Sequence, residues 1–399
     1  MLTSFAFIFL LGMLLSSILK KLRLPGLLGM LITGIVLGPY VLNLLDPSIL
    51  SISADLRQIA LIIILTRAGL SLDINDLKKV GRPAILMCFV PACLEIAGMI
   101  LLAPGLLGIS VLDAAIMGTV VAAVSPAVIV PKMLMLMEQG YGRENSIPQL
   151  IMAGASVDDV FVIVLFTAFT GLAQGESITA ASFAQVPVSI LTGMIAGVVT
   201  GLLLAVLFAK LHMRDSGKVV VLLSISFLMV ALENSIKGVI PFSGLLAVMS
   251  MGIALQKKRP VVAERLSVKY SKLWVAAEIL LFVLVGATVD VSYALAAGAS
   301  AILLIFGVLL FRMAGVFLCM LKTRLSGKER LFCMIAYMPK ATVQAAIGGV
   351  PLALGLGCGK IVLTVAVLAI LITAPLGAFG VDMTYRKLLP RIPDKTSDL

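Results

Sequence analysis

Apolar runs of about twenty residues recur along this 399-residue chain, each closed by a short polar break. Roughly 20 residues of α-helix cross the hydrocarbon of a bilayer, so the pattern dictates a polytopic helical membrane protein. The balance of residue types agrees, with 61% hydrophobic against 13% charged, where soluble domains carry about 25% charged residues. A membrane barrel would need short alternating segments instead, and the sequence offers none.

The runs place thirteen spans, near 1–19, 26–45, 56–72, 83–103, 112–131, 147–173, 183–210, 217–235, 239–255, 273–289, 294–321, 330–355 and 359–381. The basic residues test that count independently. Loops after odd-numbered spans, with the C-terminal tail, hold 25 of the 31 Lys and Arg residues. On the opposite side, in loops or the first turn of a span, are only Arg57, Lys237 and Lys360, while Arg67, Arg312 and Lys340 fall deeper inside spans. Lys/Arg-rich loops are cytoplasmic. The expectation is a multi-pass protein of the cell (inner) membrane, N-terminus outside and C-terminus in the cytoplasm. The net charge of +11 is then topology rather than a nucleic-acid surface. The first apolar run meets Lys20 and Lys21 without a small-residue cleavage site, so it reads as a span and not a cleaved signal. No loop is long enough for a soluble domain, and 382–399 is a short tail.

The five cysteines (Cys88, Cys93, Cys319, Cys333, Cys358) lack CxxC spacing and read as packing residues. His212, the single histidine, lies in a polar turn away from any ligand cluster. Nothing points to a cofactor, a resident metal or an enzyme.

An odd span count permits inverted repeats around a spare helix. "LTRAGLSLD" (Leu65–Asp73) and "LVGATVDV" (Leu284–Val291) end spans on opposite faces. Two spans also carry internal breaks. "AAVSPAVIVP" holds Ser125, Pro126 and Pro131; "YMPKATVQAAIGGVP" holds Pro339, Thr342, Gly348, Gly349 and Pro351. Proline removes backbone hydrogen bonds that lipid cannot replace, so interrupted helices survive only against protein or a watery cavity. A pair in corresponding positions is the best sequence pointer to a transport site.

Charges at depth mark the same region. In "GASVDDVFVIVLF", Asp158 and Asp159 fall roughly 15 Å from either membrane face at 1.5 Å per helical residue. Charges there face protein or water and are functional by default. Neighbouring helix residues point about 100° apart, so one carboxylate can face an aqueous funnel while the other turns to a basic partner or an unwound backbone. Desolvation favours the uncharged form of a carboxyl, so such a group holds either a proton or a desolvated cation. Competition between the two is the simplest exchange mechanism. Glu95 and Arg312 occupy equivalent places in two candidate three-helix repeats, and an ion pair would neutralise both. Lys340, directly after Pro339, can offset exposed carbonyls or a nearby aspartate. Arg67, Glu233 and Glu278 read as boundary residues, and Gly193, Gly197 and Gly201 as a close-packing helix face.

"GASVDDV", "SPAVIVP" and "MPKATVQAAIGG" together resemble the monovalent cation:proton antiporter superfamily, nearest its NHA-type sodium/proton antiporters, with NhaA and NapA types among the prokaryotic cousins. The resemblance implies an all-α fold of about thirteen transmembrane helices, with inverted repeats, two discontinuous crossing helices and homodimeric assembly. It implies Na⁺ (or Li⁺) exchanged for H⁺ by elevator-like alternating access, with monovalent cations, protons and the lipid bilayer as partners. In its terms, 1–81 and 217–293 are mainly dimerisation and scaffold helices, 82–173 and 294–381 the transport core, and 183–210 a linker. Asp159 matches the family's ion-binding aspartate and Asp158 its partner. Glu95, Arg312 and Lys340 supply ion pairing and charge compensation, and Ser125, Pro126, Pro339 and Thr342 mark the broken helices. Arg312 stands where NhaA and NapA carry a lysine tied to electrogenic exchange. Arginine does not deprotonate, so an Arg312 held by Glu95 fits one-for-one electroneutral exchange. The rivals are a K⁺/H⁺ antiporter of the same superfamily, a passive cation channel, and an intramembrane aspartyl protease, which would set its two carboxylates on separate helices.

Overall fold

The computed structural model describes residues 1–22, 24–71, 81–174, 180–211, 213–236 and 240–391. Expectations for Asp73, His212, Lys237 and the tail beyond 391 lie outside them. The described residues are mostly helical and form no strand, only an isolated bridge between Tyr141 and Arg391.

In chain order the helices are α1 (Leu2–Lys21), α2 (Gly26–Leu37), α3 (Pro47–Ser51), α4 (Ser53–Ser71), α5 (Arg82–Met87) and α6 (Val90–Leu107). Next come α7 (Val111–Ala122), α8 (Pro126–Glu138), α9 (Ile147–Ala173), α10 (Ala180–Lys210), α11 (Asp215–Ser235) and α12 (Gly244–Lys258). The last are α13 (Pro260–Ala287), α14 (Val291–Cys319), α15 (Gly327–Ala336), α16 (Thr342–Ile347), α17 (Val350–Ala353) and α18 (Gly359–Leu388). Among the described residues, eight helical stretches are long and apolar enough to cross a membrane, from Leu2–Lys21 to Gly359–Leu388.

Several ends depart from the apolar runs, for physical reasons. The run 26–45 is helical only to Leu37, because Gly38 is extended and Pro39 cannot continue the hydrogen-bond ladder. The run 83–103 is two helices, interrupted at Cys88 and Phe89, with Pro91 in the first turn of the second. Two helices outrun their apolar stretches. α13 begins at Pro260, so Arg265, Lys269 and Lys272 lie on a helix rather than in a loop, and Glu278 lies well inside it. Ala263, Leu266, Tyr270 and Trp274 form a buried stripe along that amphipathic segment, and Arg265 pairs with Asp215 at 3.0 Å. α8 likewise continues past Pro131 on buried Met133 and Leu136, with Lys132 bound to Asp382 at 2.5 Å.

The chain forms two compact units: Met1–Asp46, Asp76–Phe169 and Phe282–Leu399 in one, Pro47–Asn75 and Thr170–Leu281 in the other. In the second, α10 lies along α12 through the expected glycine face. A Cβ at Gly193 would sit 2.5 Å from Ser243 O, and at Gly197 and Gly201 it would fall on Ala247 O and Met251 O. Backbone packed on backbone at four-residue intervals leaves no room for a side chain. Glu233 in this unit is no mere boundary residue: it accepts from Gly244 N at 2.8 Å and caps α12. In the first unit, α6 and α14 approach closely where Gly98 faces the Phe311 ring and Gly315 faces Pro91. These small residues flank Glu95 on one helix and Arg312 on the other.

Gly197→Leu should destabilise the protein by about 1–3 kcal/mol, as overpacking does. Gly298→Ala, where a Cβ meets nothing within 4 Å, should not. Thermal unfolding in detergent checks both, and a wild-type melting point for Gly197→Leu would refute the seam.

Candidate functional site

Two helix breaks build the site. α7 stops at Ala122 because Ala123 is extended (φ −69°, ψ 142°) and Ser125 stays out of the helical region (φ −89°, ψ 108°) ahead of Pro126. α15 stops at Ala336, and 337–341 run non-helically past Pro339 before Thr342 opens α16. Each break strips its helix of ladder bonds, and the two breaks bond to each other: Ser125 N donates to Pro339 O at 2.8 Å.

Other backbone groups at the breaks are met by side chains, charged ones from α14, α9 and the second break and uncharged ones from α16 and α18. Arg312 of α14 donates through Nη1 to Glu95 Oε2 (2.8 Å) and through Nη2 to Asp158 Oδ2 (2.9 Å). Its Nε donates to Tyr337 O at 2.7 Å, and Nη1 also reaches Ala122 O. The guanidinium lies over the Tyr337 ring, 5.0 Å from its centroid. Lys340 Nζ donates to the same Glu95 Oε2 at 2.5 Å and to Ala122 O at 3.4 Å, while its backbone N–H donates to Thr373 Oγ1 at 2.9 Å. Asp158 Oδ2 also accepts from Val124 N at 2.9 Å. Gln344 of α16 donates to Val121 O (3.0 Å) and Ala123 O (2.8 Å).

Glu95, Asp158, Arg312 and Lys340 each have 0% exposure. Two acids face two bases, so the buried set is balanced within itself. Asp159 follows Asp158 on α9, partly buried, and makes no ion pair among the described residues. Its Oδ1 is buried without a hydrogen-bond partner, as are Asp158 Oδ1, Glu95 Oε1, Ser125 Oγ, Thr342 Oγ1 and Gln344 Oε1. All are oxygens, the ligand type that hard cations take. No group of three or more His, Cys, Asp or Glu able to hold a metal occurs among the described residues.

Of the residues singled out in the sequence, Glu95, Asp158, Arg312 and Lys340 meet in one network; Ser125, Pro126, Pro339 and Thr342 line its two breaks; Asp159 stands beside it with no ion pair among the described residues. Lys340 meets a glutamate and a carbonyl rather than an aspartate. Gln344 and Tyr337 were not singled out, although both lie in the quoted "YMPKATVQAAIGGVP". An amide in a stretch otherwise of Ala, Val and Ile was a readable signal for Gln344. Thr373 gave none, being one hydroxyl in a long apolar run.

A multi-spanning helical membrane protein with buried charges gathered at two helix breaks is built as a transporter. The sequence profile described as "Sodium/hydrogen exchanger, transmembrane" matches residues 5–387. The chain is 34% identical over 392 residues to sodium/hydrogen exchanger 9B2 of Homo sapiens, covering 94% of this chain and 72% of that protein. It is 33% identical over 386 residues to sodium/hydrogen exchanger 9B1 of Homo sapiens, covering 92% and 73%. Among solved structures it shares its fold with the sodium proton antiporter MjNhaP1 from Methanocaldococcus jannaschii, at a TM-score of 0.85 and 22% identity over 97% and 98% of the two chains. The chain belongs to the sodium/hydrogen exchanger family, whose members are transporters and not enzymes.

Removing one partner from a buried ion pair costs about 3–5 kcal/mol, because the other charge stays buried. Glu95→Gln should therefore melt well below wild type, and so should Lys340→Met. The double variant should lose less than the sum, since the two share one oxygen. A double-mutant cycle of thermal unfolding in detergent measures the coupling, and strict additivity would contradict it.

Proposed function

We propose that this protein exchanges Na⁺ (or Li⁺) for H⁺, with the two ions competing for Asp159 near the middle of the membrane. One observation carries the reading: Glu95, Asp158, Arg312 and Lys340 balance without Asp159, which keeps a buried oxygen free of partners. The uncommitted carboxylate takes a proton or a cation, and either one restores neutrality. Asp158, with Oδ2 held by Arg312 and Val124 N, supports the site through its second oxygen. Ser125 and Thr342 add hydroxyl oxygens from the two breaks.

The stoichiometry follows from the same balance. Arg312 does not shed its proton, and both fixed cations are committed to Glu95 and Asp158. One carboxylate then carries one Na⁺ one way and one H⁺ the other, so exchange is electroneutral.

Thirteen spans, inverted repeats and crossing broken helices complete the proposed fold, with the N-terminus outside the inner membrane and the C-terminus in the cytoplasm. The order of elements supports the repeats. A long helix bearing a buried charge (Glu95 or Arg312) precedes an interrupted helix, and another long helix follows it. In this reading 82–173 and 294–381 move as an elevator core against dimerisation helices in 1–81 and 217–293, joined by 183–210, in a homodimer. That division is functional and differs from the two compact units, which group Met1–Asp46 with the network-bearing helices.

In everted vesicles carrying a pH gradient, added Na⁺ or Li⁺ should release protons for wild type and not for Asp159→Asn. Unchanged proton flux in that variant would sink the assignment, and a response to K⁺ in place of Na⁺ would move the protein to K⁺/H⁺ exchange. Protons occupy more of the site as pH falls, so the apparent KM for Na⁺ should climb on acidification, approaching about tenfold per pH unit, with kcat preserved. In proteoliposomes with the membrane potential clamped, the rate should not change with its sign. A rate that follows the potential would overturn electroneutrality.

A further inference from the structure

Five consecutive residues, Val121 to Ser125, are each anchored by a single kind of contact to another part of the chain. Ala122 O is held by Arg312 and Lys340, Val124 N by Asp158, and Ser125 N by Pro339 O. Val121 O and Ala123 O are both held by Gln344. Every anchoring side chain but Gln344 is charged. Gln344 is also fully buried, at 0% exposure, and its Oε1 has no hydrogen-bond partner.

The geometry assigns Gln344 as a positioning residue for the transported cation, acting through the extended segment that carries Ser125 and binds Asp158. This rests on the exchange reading above and deepens it. A primary amide has two N–H groups, and here both go to carbonyls that flank Ala122. Those carbonyls belong to a helix end that has lost its ladder partners. Pinning them on either side fixes the rotation of the peptide planes between, and with it the direction of Val124 N–H toward Asp158 and the place of Ser125. Because Gln344 starts from the second interrupted helix, it ties the two breaks together without entering the charge balance. Charge sets how many ions move; Gln344 sets how well the oxygens fit them.

That separation gives the test. Gln344→Met keeps the volume and removes both donors, and a lost buried hydrogen bond is worth about tenfold in an equilibrium constant. In proteoliposomes its KM for Na⁺ should rise about tenfold, with kcat within about twofold of wild type and exchange still insensitive to a clamped potential. Gln344→Glu places a carboxyl against two carbonyl oxygens, where only the protonated form can donate. Its KM, divided by that of wild type at the same pH, should fall as the medium is acidified, whereas the same ratio for Gln344→Met should be flat. A general packing role would give neither the KM-specific loss nor the pH-dependent rescue. If Asp159→Asn abolishes exchange while Gln344→Met keeps a wild-type KM, or lowers kcat alone, the positioning role is overturned and the exchange reading stands. If Asp159→Asn leaves exchange intact, the underlying reading fails first. Should Gln344→Met not assemble, the pH dependence of Gln344→Glu decides, and a flat ratio counts against the role.

Discussion

The buried guanidinium of Arg312 is the constraint on which the surrounding helices depend. Taking such a group out of water costs several kcal/mol even after relaxation, and only well-placed partners offset it. Arg312 finds two carboxylates, two carbonyls and an aromatic face. The carbonyls exist because Pro126 and Pro339 interrupt helices. Ala122 O would otherwise serve the next turn of α7, and Tyr337 O that of α15. The dependence runs both ways. The breaks need donors in a medium without water, and the charges need acceptors there. Neither would be tolerable alone.

Helix packing decides whether the two can meet. Glu95 and Arg312 are 217 residues apart in sequence, yet 2.8 Å separates their polar atoms. Gly98 and Gly315 lie one turn or less from them on facing helices and let the backbones close up. An alanine at either would push the helices apart or displace Phe311 or Pro91. The glycine seam between α10 and α12 obeys the same rule.

Much of this was legible in the chain itself. Apolar length gave the class of fold, and paired prolines with polar neighbours gave the breaks. A carboxylate on one predicted span and an arginine on another gave the central pair. What escaped at the site depends on which groups a side chain reaches, not on where it sits. The sequence expected one aspartate to turn to a basic partner or an unwound backbone, but that the partner is Arg312, and that two cations share Glu95 Oε2, requires three-dimensional placement. Helix ends escaped for another reason. An amphipathic helix such as the first half of α13 hides a buried stripe among lysines, and averaged hydropathy reads it as a loop. Gly38-Pro39 was the opposite lapse, a plain stop signal overridden by the apolar residues beyond it.

The sharing of Glu95 Oε2 bears on how the proposed site divides its labour. Two cations at 2.8 and 2.5 Å from one oxygen repel each other, and each is steadied by a second acceptor. For Lys340 that acceptor is Ala122 O; for Arg312 it is chiefly Asp158. If a transported Na⁺ displaced the bond between Asp158 and Arg312, the arginine would be left to share a single carboxylate with a lysine, the arrangement least able to bear it. Asp158 is therefore held in its supporting place by the needs of Arg312. In the proposed reading the exchange then falls to the neighbouring carboxylate, Asp159, which makes no ion pair among the described residues that a change of ion would disturb. On a helix, adjacent residues point in different directions, and that geometry is what the proposal requires: one aspartate fixed by Arg312 and Val124 N, the next outside the ion-pair network.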